Sequence, residues 1–202
     1  MKLYFSPGAC SLSPHIAARE AGLDIDLEKV DTRAKKTASG RDFWAINPKG
    51  YVPVLELDDG QFLTEGPAIV QYLADQRPDS GLVPPAGSMD RYRVAETLGY
   101  INSEIHKTYS PLFNDATLPE VRQEREAYLK KRYGVLDKAL AGKPYLFGDR
   151  FTVADAYLFT VTNWSAFVKV DLSDFGNLQS FQKRVRDRPA VRAAMQAEGL
   201  KV

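Results

Sequence analysis

The sequence contains very little cysteine and histidine. Its 202 residues include one cysteine, Cys10, and two histidines, His15 and His106. A single cysteine cannot form an internal disulfide, so nothing in the sequence calls for an oxidising compartment. We also expect no bound metal ion.

Net charge and long apolar runs are scarce as well. Lysine and arginine number 27 against 26 aspartates and glutamates, which leaves a formal net charge of +1. This balance gives no reason to expect a nucleic acid or an anionic membrane as partner. The most apolar later stretch, AYLFTVTNWSAFVKV, is interrupted by polar residues and is too short to span a bilayer. Because the first residues, KLYFS, also lack a secretory pattern, we expect a cytoplasmic protein.

The first 76 residues alternate strand signals with short helical signals. A β-prone run at 3–5 is followed by Ser13 and Pro14, which predict an N-cap and the first turn of a helix. LDIDLEKVD alternates like a half-buried strand, and YVPVLELDDGQFL predicts a hairpin closed by Asp-Asp-Gly. Pro67 then opens an apolar helix. The predicted order is β-α-β, an irregular connection, and β-β-α.

The strand signals cease after a connector rich in proline and glycine, RPDSGLVPPAGS. Apolar residues at helical intervals predict a helix within 119–141. In FTVADAY, Thr152 and Asp155 have the spacing of a capping box, so we interpret Asp155 as structural rather than catalytic. The pattern therefore predicts an α/β domain at 1–77, a linker at 78–88 and an all-α domain at 89–202.

Cys10 stands just ahead of a helix that we expect to begin between Ser11 and Pro14. A helix N-terminus presents unpaired N–H groups and partial positive charge, which favour a nearby anion. A thiol held there can have its pKa lowered from about 8.5 to roughly 3.5–7.5, and an external thiolate could be held equally well. The alternative is that Cys10 is a small buried hydrophobe.

Four segments in order give the sequence a family likeness: SPGACSLSPHIAAREAG, NPKGYVPVLELDDG, TEGPAIVQYLAD and FTVADAYLF. Together with Cys10 and SEIHK at 103–107, they resemble the bacterial beta-class glutathione S-transferases over essentially the whole chain. The resemblance implies a thioredoxin-like α/β N-terminal domain and an all-α C-terminal domain. It also implies glutathione as co-substrate and a homodimer.

The resemblance further implies how the first domain binds glutathione. The main chain of Val52, aided by a cis peptide before Pro53, would pair with the cysteinyl backbone of the tripeptide. Glu65 and the backbone of Gly66 would receive its γ-glutamyl end. Lys35 would meet the glycyl carboxylate, and two neighbouring cations could substitute for it, namely Lys36 and Arg33. Without the family context, Glu65 could merely stabilise a helix N-terminus and Lys35 could be a solvated surface charge.

In the second domain the resemblance singles out His106, which lies beside the cysteine and the bound sulfur in this class. An imidazole there could accept a thiol proton or, when charged, hold a thiolate. Ser103, Glu104 and Lys107 would also lie near glutathione, some of them reaching it from the neighbouring subunit. For His15 we expect a surface or packing role.

The sequence departs from the class at Gly99, where an asparagine near the ligand is usual. Glycine offers no side-chain hydrogen bond and weakens a helix by about 1 kcal/mol relative to alanine. Asn102 is close in sequence but is expected to face another side of a regular helix.

Other hydroxyls and aromatic residues are weaker candidates. Ser11 could donate a hydrogen bond to a thiolate, whereas Tyr4 is most simply a packed strand residue, so both rank below Cys10 and His106. Two aromatic residues could line an apolar pocket for the second substrate, or could be ordinary core residues: Tyr109 and Trp164.

The favoured function is conjugation of the glutathione thiolate to small, partly apolar electrophiles, as in detoxification. Cys10 and Ser13 also form a C-x-x-S arrangement, for which the alternative is thiol–disulfide exchange through Cys10. A third alternative is a non-catalytic binding or regulatory protein that keeps this fold.

Overall fold

The computed structural model describes all 202 residues and divides them into two compact units. The first unit comprises 1–83 together with 186–202, and the second comprises 84–185. The change from one unit to the next, at Val83 and Pro84, falls within the connector that the sequence predicted. The return of the last residues to the first unit differs from the sequence-based division.

The first unit contains a five-stranded mixed sheet in the order β3-β2-β1-β4-β5. Its strands are β1 (Lys2–Phe5), β2 (Asp26–Asp31), β3 (Lys36–Thr37), β4 (Val54–Glu56) and β5 (Phe62–Thr64). Its first helices are α1 (Leu12–Glu20), α2 (Phe43–Ile46) and α3 (Gly66–Asp75), and a short 3₁₀ turn covers Pro78–Ser80. Strand β1 pairs in parallel with β2 and antiparallel with β4, so it lies at the centre of the sheet.

Alternation along β1 divides the core of the first unit into two layers. Leu3 and Phe5 point to one face and pack with Leu55, Ile69 and Leu73. Tyr4 points to the opposite face, where its layer includes residues of β2, of α2 and of β4 with the segment before it: Val30, Phe43, Ile46, Val52 and Val54. Because successive side chains of a strand point to opposite faces, a run of three apolar residues fills both layers.

The predicted α/β class and the order of the main elements of the first unit are confirmed. Two short elements, β3 and α2, lie where the sequence predicted an irregular connection. With two and four residues, neither is long enough to show a periodic pattern. The predicted N-cap at Ser13 is wrong: α1 begins at Leu12, and the Ser13 hydroxyl donates instead to the Cys10 carbonyl oxygen at 3.0 Å.

The second unit is helical, as predicted. Its α-helices are α4 (Met89–Tyr100), α5 (Pro119–Ala139), α6 (Val153–Thr162), α7 (Trp164–Val168) and α8 (Gly176–Arg186), whose last residue is grouped with the first unit. Between α4 and α5 the chain forms a π-helical segment at Ile101–His106 and a 3₁₀ segment at Lys107–Phe113. None of the helices combines the length and the apolar character needed to cross a membrane.

The last helix, α9 (Pro189–Ala197), belongs to the first unit and packs against α1. Arg188 forms an ion pair with Glu20, with its Nε 2.6 Å from Oε1. Glu198, just after α9, accepts hydrogen bonds from His15 Nδ1 at 3.0 Å and from the backbone N–H of Gly8 at 2.9 Å. His15 is therefore a buried packing residue, and the surface role allowed by the sequence is wrong.

Helix α6 begins with the predicted capping box. The buried carboxylate of Asp155 accepts from the backbone N–H and the hydroxyl of Thr152, each at 2.8 Å, and from the backbone N–H of Leu146 at 2.8 Å. Burial raises the pKa of this carboxyl from 3.8 to about 6. These contacts assign Asp155 a role in the start of a fully buried helix, as the sequence predicted.

The raised pKa of Asp155 gives a prediction for the pH dependence of stability. Between pH 3.8 and about 6 the folded carboxyl keeps a proton that the unfolded chain has lost, so its contribution to stability falls as pH rises through this window. We expect the free energy of unfolding of the wild type, relative to Asp155→Asn, to be higher at pH 4.5 than at pH 7.5 by about 2 kcal/mol. Urea unfolding at both pH values measures it.

The exposed Asp149 supplies the matched control for this prediction. Asp149→Asn removes one carboxylate from the same unit without touching the capping box, so it controls for the loss of one negative charge. If the free energy of unfolding of the wild type relative to Asp155→Asn is the same at both pH values, or is larger at pH 7.5, the raised pKa of Asp155 is contradicted.

Candidate active site

The thiol of Cys10 lies next to the segment that precedes β4. In the antiparallel pairing of β1 with β4, Tyr4 stands opposite Val54, so the chain leaving β1 meets the chain entering β4. The Cys10 sulfur donates a hydrogen bond to the Val52 carbonyl oxygen at 3.3 Å, and the Val52–Pro53 peptide is cis. Cys10 is half-buried and stands two residues before α1, ahead of the helix start as predicted.

Ser11 is fully buried and its hydroxyl is engaged with the backbone. Its Oγ accepts from the N–H of Ser6 at 3.1 Å and donates to the carbonyl oxygen of the same residue at 3.2 Å. The hydroxyl proton is thus directed at Ser6, and the bond closes the loop that carries Cys10.

Tyr4 is a core residue of β1. Its hydroxyl donates to Glu56 Oε2 at 2.6 Å and accepts from Arg41 at 2.9 Å. Burial and the bond to Glu56 raise the pKa of the Tyr4 hydroxyl to about 12. These contacts agree with the packed strand residue that the sequence favoured.

Glu65 is held at the start of α3 in an unusual backbone conformation. Its φ of 69° lies in the left-handed region, which costs a non-glycine residue free energy and tends to occur at functional sites. Its Oε1 accepts from Lys49 Nζ at 2.7 Å and from the Tyr51 hydroxyl at 2.8 Å. Gly66, the first residue of α3, follows directly. The sequence reasoning missed Lys49 and Tyr51, although both lie in the quoted NPKGYVP string.

Lys35 lies beside the segment that leads to Val52. Its ammonium donates to the Gly50 carbonyl oxygen at 2.6 Å and stands 5.3 Å from the ring centroid of Trp44. The two alternative cations, Arg33 and Lys36, are exposed and have no such contact with this segment among the observed hydrogen bonds. Of the three candidate cations, Lys35 is therefore the one that contacts the segment leading to Val52.

In the second unit, His106 belongs to a partly buried polar group centred on the buried Tyr157. His106 Nδ1 is 2.6 Å from the Tyr157 hydroxyl oxygen, and that hydroxyl donates to Asn102 Oδ1 at 2.8 Å. The imidazole also meets the Trp164 ring edge to face, with centroids 4.8 Å apart. Asn102 was expected to face another side of a regular helix than Gly99, but this segment is π-helical and directs the Asn102 amide to Tyr157.

Glu104 is engaged by residues of α5. It accepts from the Tyr128 hydroxyl, and its Oε2 lies 2.9 Å from Arg132 Nε. The bond from Tyr128 lowers the pKa of the Glu104 carboxyl. Ser103 donates to Glu104 Oε1 at 3.3 Å, whereas Lys107 is exposed. Gly99 is exposed too, with open space where a Cβ would stand.

A row of aromatic rings runs outward from Trp164. Tyr109 and Phe113 each meet Trp164 edge to face, with centroids 5.5 Å apart in both pairs. Phe113 also contacts Phe167 at 5.9 Å, and these outer rings are 44% and 78% exposed. Tyr109 is buried, and its hydroxyl is 2.9 Å from that of Tyr133. The sequence singled out Tyr109 and Trp164 but missed Phe113 and Phe167, since exposed aromatic residues show no distinct pattern.

The sequence matches two family models that cover most of the chain. Residues 8–76 match "Glutathione S-transferase, N-terminal domain" and residues 100–189 match "Glutathione S-transferase, C-terminal domain". No group of three or more histidine, cysteine or acidic side chains stands close enough together to hold a metal ion.

Individual proteins resemble the chain over its full length. Glutathione S-transferase GstA of Escherichia coli O157:H7 is 47% identical over 100% of both chains. The structure of a ternary complex of BphK, a bacterial glutathione S-transferase, has a TM-score of 0.97 at 56% identity and covers 99% of this chain and 100% of its own. The bacterial beta-class enzyme of Sphingomonas chungbukensis has a TM-score of 0.95 at 46% identity, with 100% of both chains covered. The chain belongs to the glutathione S-transferase family and stands close to its bacterial beta class.

The contact between Gly50 and Trp44 gives a prediction about the Lys35 segment. A Cβ on Gly50 would lie 2.4 Å from Cζ3 of Trp44, so Gly50→Ala must displace the indole over which Lys35 sits. We expect Gly50→Ala to lower the free energy of unfolding by about 1 kcal/mol more than Gly60→Ala does, and to change the tryptophan fluorescence.

Gly60 is a matched control because its φ of 83° is also positive and nothing lies within 4 Å of its Cβ position. Both substitutions carry backbone strain, and only one overlaps a side chain. The difference should vanish in a Trp44→Ala background, as in a double-mutant cycle. If Gly50→Ala and Gly60→Ala lower the free energy of unfolding of the otherwise wild-type protein equally, the close approach of Gly50 to Trp44 is refuted.

Proposed function

We propose that this protein is a glutathione transferase in which the first unit binds the tripeptide and helps to form its thiolate, which attacks small, partly apolar electrophiles. Conjugation is the activity of the family to which the chain belongs. The observation that carries the proposal is the hydrogen bond from the Cys10 thiol to the Val52 carbonyl oxygen. This arrangement places a polar thiol next to main chain that can pair with an extended peptide.

The first unit offers complementary charges for the two ends of glutathione. Glu65, which Lys49 and Tyr51 hold in place, is the carboxylate for the γ-glutamyl ammonium. Backbone N–H groups at the start of α3, beginning with Gly66, suit the carboxylate of the same end. Lys35, fixed near Gly50, is the cation for the glycyl carboxylate.

Activation of the thiol is assigned to Cys10 and His106, with Ser11 in a supporting role. Cys10 can turn its hydrogen bond from Val52 to the glutathione sulfur. Ser11 could donate to a thiolate only by giving up its bond to Ser6, so its main contribution is to shape the loop. His106 is the imidazole that exchanges a proton during the reaction.

The second unit contributes further contacts. Ser103, Glu104 and Lys107 are proposed to contact glutathione within a homodimer, as the family resemblance implies. The electrophile is proposed to bind beside Trp164, against which the buried Tyr109 packs, and the aromatic row extends this surface to the exposed Phe113 and Phe167. A surface of partly exposed aromatic rings suits a flat, partly apolar substrate. We further propose a cytoplasmic role in detoxification, without metal, nucleic acid or membrane.

The two alternative functions are not favoured. In thiol–disulfide exchange through a C-x-x-S arrangement, Cys10 would form a mixed disulfide with glutathione and would be indispensable. A non-catalytic protein would show no turnover at all. The first alternative differs from the proposed function in the effect of replacing Cys10, and the second differs in the activity of the wild type.

The test is conjugation of glutathione to 1-chloro-2,4-dinitrobenzene by the wild type and by Cys10→Ala at saturating glutathione. A thiol that only donates a hydrogen bond contributes about 0.5–1.5 kcal/mol, so we expect Cys10→Ala to retain conjugation with a loss of about tenfold or less. Circular dichroism checks that the variant is folded. Weak conjugation by both proteins, with reduction of a glutathione mixed disulfide by the wild type alone, would establish thiol–disulfide exchange instead.

The role of Glu65 gives a second prediction. Glu65→Gln keeps the side-chain size but removes the charge that would meet the ligand's ammonium. A hydrogen bond to a charged group contributes about 1.5–3 kcal/mol, so KM for glutathione should rise by about tenfold or more while kcat changes less.

Asp59→Asn is the control for Glu65→Gln, because it removes a carboxylate in the exposed hairpin turn away from Lys49 and Tyr51. Its KM for glutathione should match that of the wild type. An unchanged KM in Glu65→Gln would remove Glu65 from the binding site.

A further inference from the structure

Tyr157 connects two residues of the π-helical segment to a fully buried helix. It belongs to α6, all of whose residues are buried, and its own side chain is almost inaccessible. Its hydroxyl oxygen lies 2.6 Å from His106 Nδ1 and 2.8 Å from Asn102 Oδ1. The two partners are four residues apart in Ile101–His106, and the π-helical turn presents both of them to one phenol.

The protons in this group can be counted. A phenol has one proton, and Tyr157 donates it to the carbonyl oxygen of Asn102. The Tyr157 oxygen must therefore accept in its contact with His106, and the hydrogen of that bond belongs to Nδ1. In a neutral imidazole with a proton on Nδ1, Nε2 carries the lone pair.

We infer that Tyr157 and Asn102 are positioning residues that hold His106 in the Nδ1–H tautomer, so that Nε2 can take up the proton of the glutathione thiol. The inference rests on the proposed function, in which His106 exchanges that proton. In this step the S–H bond breaks, the proton binds Nε2, and sulfur keeps the electron pair as thiolate. The imidazolium that results still donates from Nδ1 to Tyr157, whose oxygen is already an acceptor.

The packing around the ring fixes its orientation as well as its tautomer. Trp164 meets the imidazole edge to face at 4.8 Å, and Tyr157 meets it in the same manner at 5.9 Å. Rotation of the ring to exchange its two nitrogens would break the bond to Tyr157 and disturb both aromatic contacts. A reversed Asn102 amide would make Tyr157 donate to Nδ1 and would impose the opposite tautomer, with the proton on Nε2.

Two-bond ¹H–¹⁵N correlation spectra of the full chain test the inference directly. Spectra are recorded without glutathione at a pH well above the ordinary imidazole value of about 6.5. The chain has two histidines, so a spectrum of His106→Phe assigns the resonances of His106. We expect Nδ1 of the wild type to resonate as a protonated nitrogen and Nε2 as an unprotonated one.

Variants of the two positioning residues connect the tautomer to the rate. Tyr157→Phe should move the Nε2 resonance toward the protonated range and lower kcat for conjugation by about three- to tenfold, a part of the factor of about 10²–10⁴ that a general base contributes. Asn102→Leu should act in the same direction. Asn102→Asp, whose carboxylate still accepts the phenol proton, should keep the wild-type spectrum and most of the wild-type kcat, unlike Asn102→Leu.

Tyr145→Phe serves as control, because it removes a tyrosine hydroxyl of the same unit outside this group. A wild-type spectrum with the proton on Nε2 would overturn the inference, and so would a Tyr157→Phe variant with unaltered spectrum and kcat. Either result would leave the proposed function intact if the wild type still conjugates glutathione. An inactive wild type with the expected spectrum would instead overturn the proposed function.

Discussion

The antiparallel pairing of β1 with β4 is the constraint on which the site of the first unit depends. Because Tyr4 stands opposite Val54, the loop after β1 and the segment before β4 leave the same edge of the sheet. Cys10 and Val52 are 42 positions apart, yet the register brings the thiol to the carbonyl oxygen. A shift of one residue would invert the faces of β1 and separate the two core layers from their helices.

Around this pairing, the first unit secures the thiol loop from several sides. Ser11 closes the loop onto Ser6, and Glu198 holds Gly8 through its backbone N–H. The same carboxylate accepts from His15, whose other ring nitrogen accepts from Arg19 at 3.3 Å. Residues 189–198 therefore help to hold the loop that carries Cys10. Helix α9 packs against α1, and the Glu198 side chain accepts a hydrogen bond from the backbone of Gly8.

In the second unit, the fully buried α6 is the fixed element against which the polar groups are set. Asp155 fixes its first turn, and two residues later Tyr157 meets His106 and Asn102. A helix that is buried on every side cannot rotate without loss of packing. The Tyr157 hydroxyl is therefore held in place and can orient the His106 imidazole. The capping box that stabilises the second unit and the tyrosine that orients His106 therefore belong to the same helix.

Prediction from the sequence was accurate where a local pattern carries its own physical reason. The hairpin around Asp-Asp-Gly and the capping box of Thr152 and Asp155 were found because each depends on residues a few positions apart. The elements β3 and α2 were missed because they are too short for a period to show. Ser13 was misplaced because a serine followed by proline suits a helix start at more than one position.

The sequence by itself determined the fold class and the place of Cys10 ahead of a helix, and it supplied candidate site residues such as Glu65 and His106. Only the tertiary structure decided that Glu65 meets Lys49 and Tyr51, that His15 is buried against Glu198, and that His106 contacts Tyr157. The reason is that capping, turns and periodicity act between near neighbours in the chain. The contacts that orient a carboxylate or an imidazole arise from packing between distant elements, which no local pattern specifies.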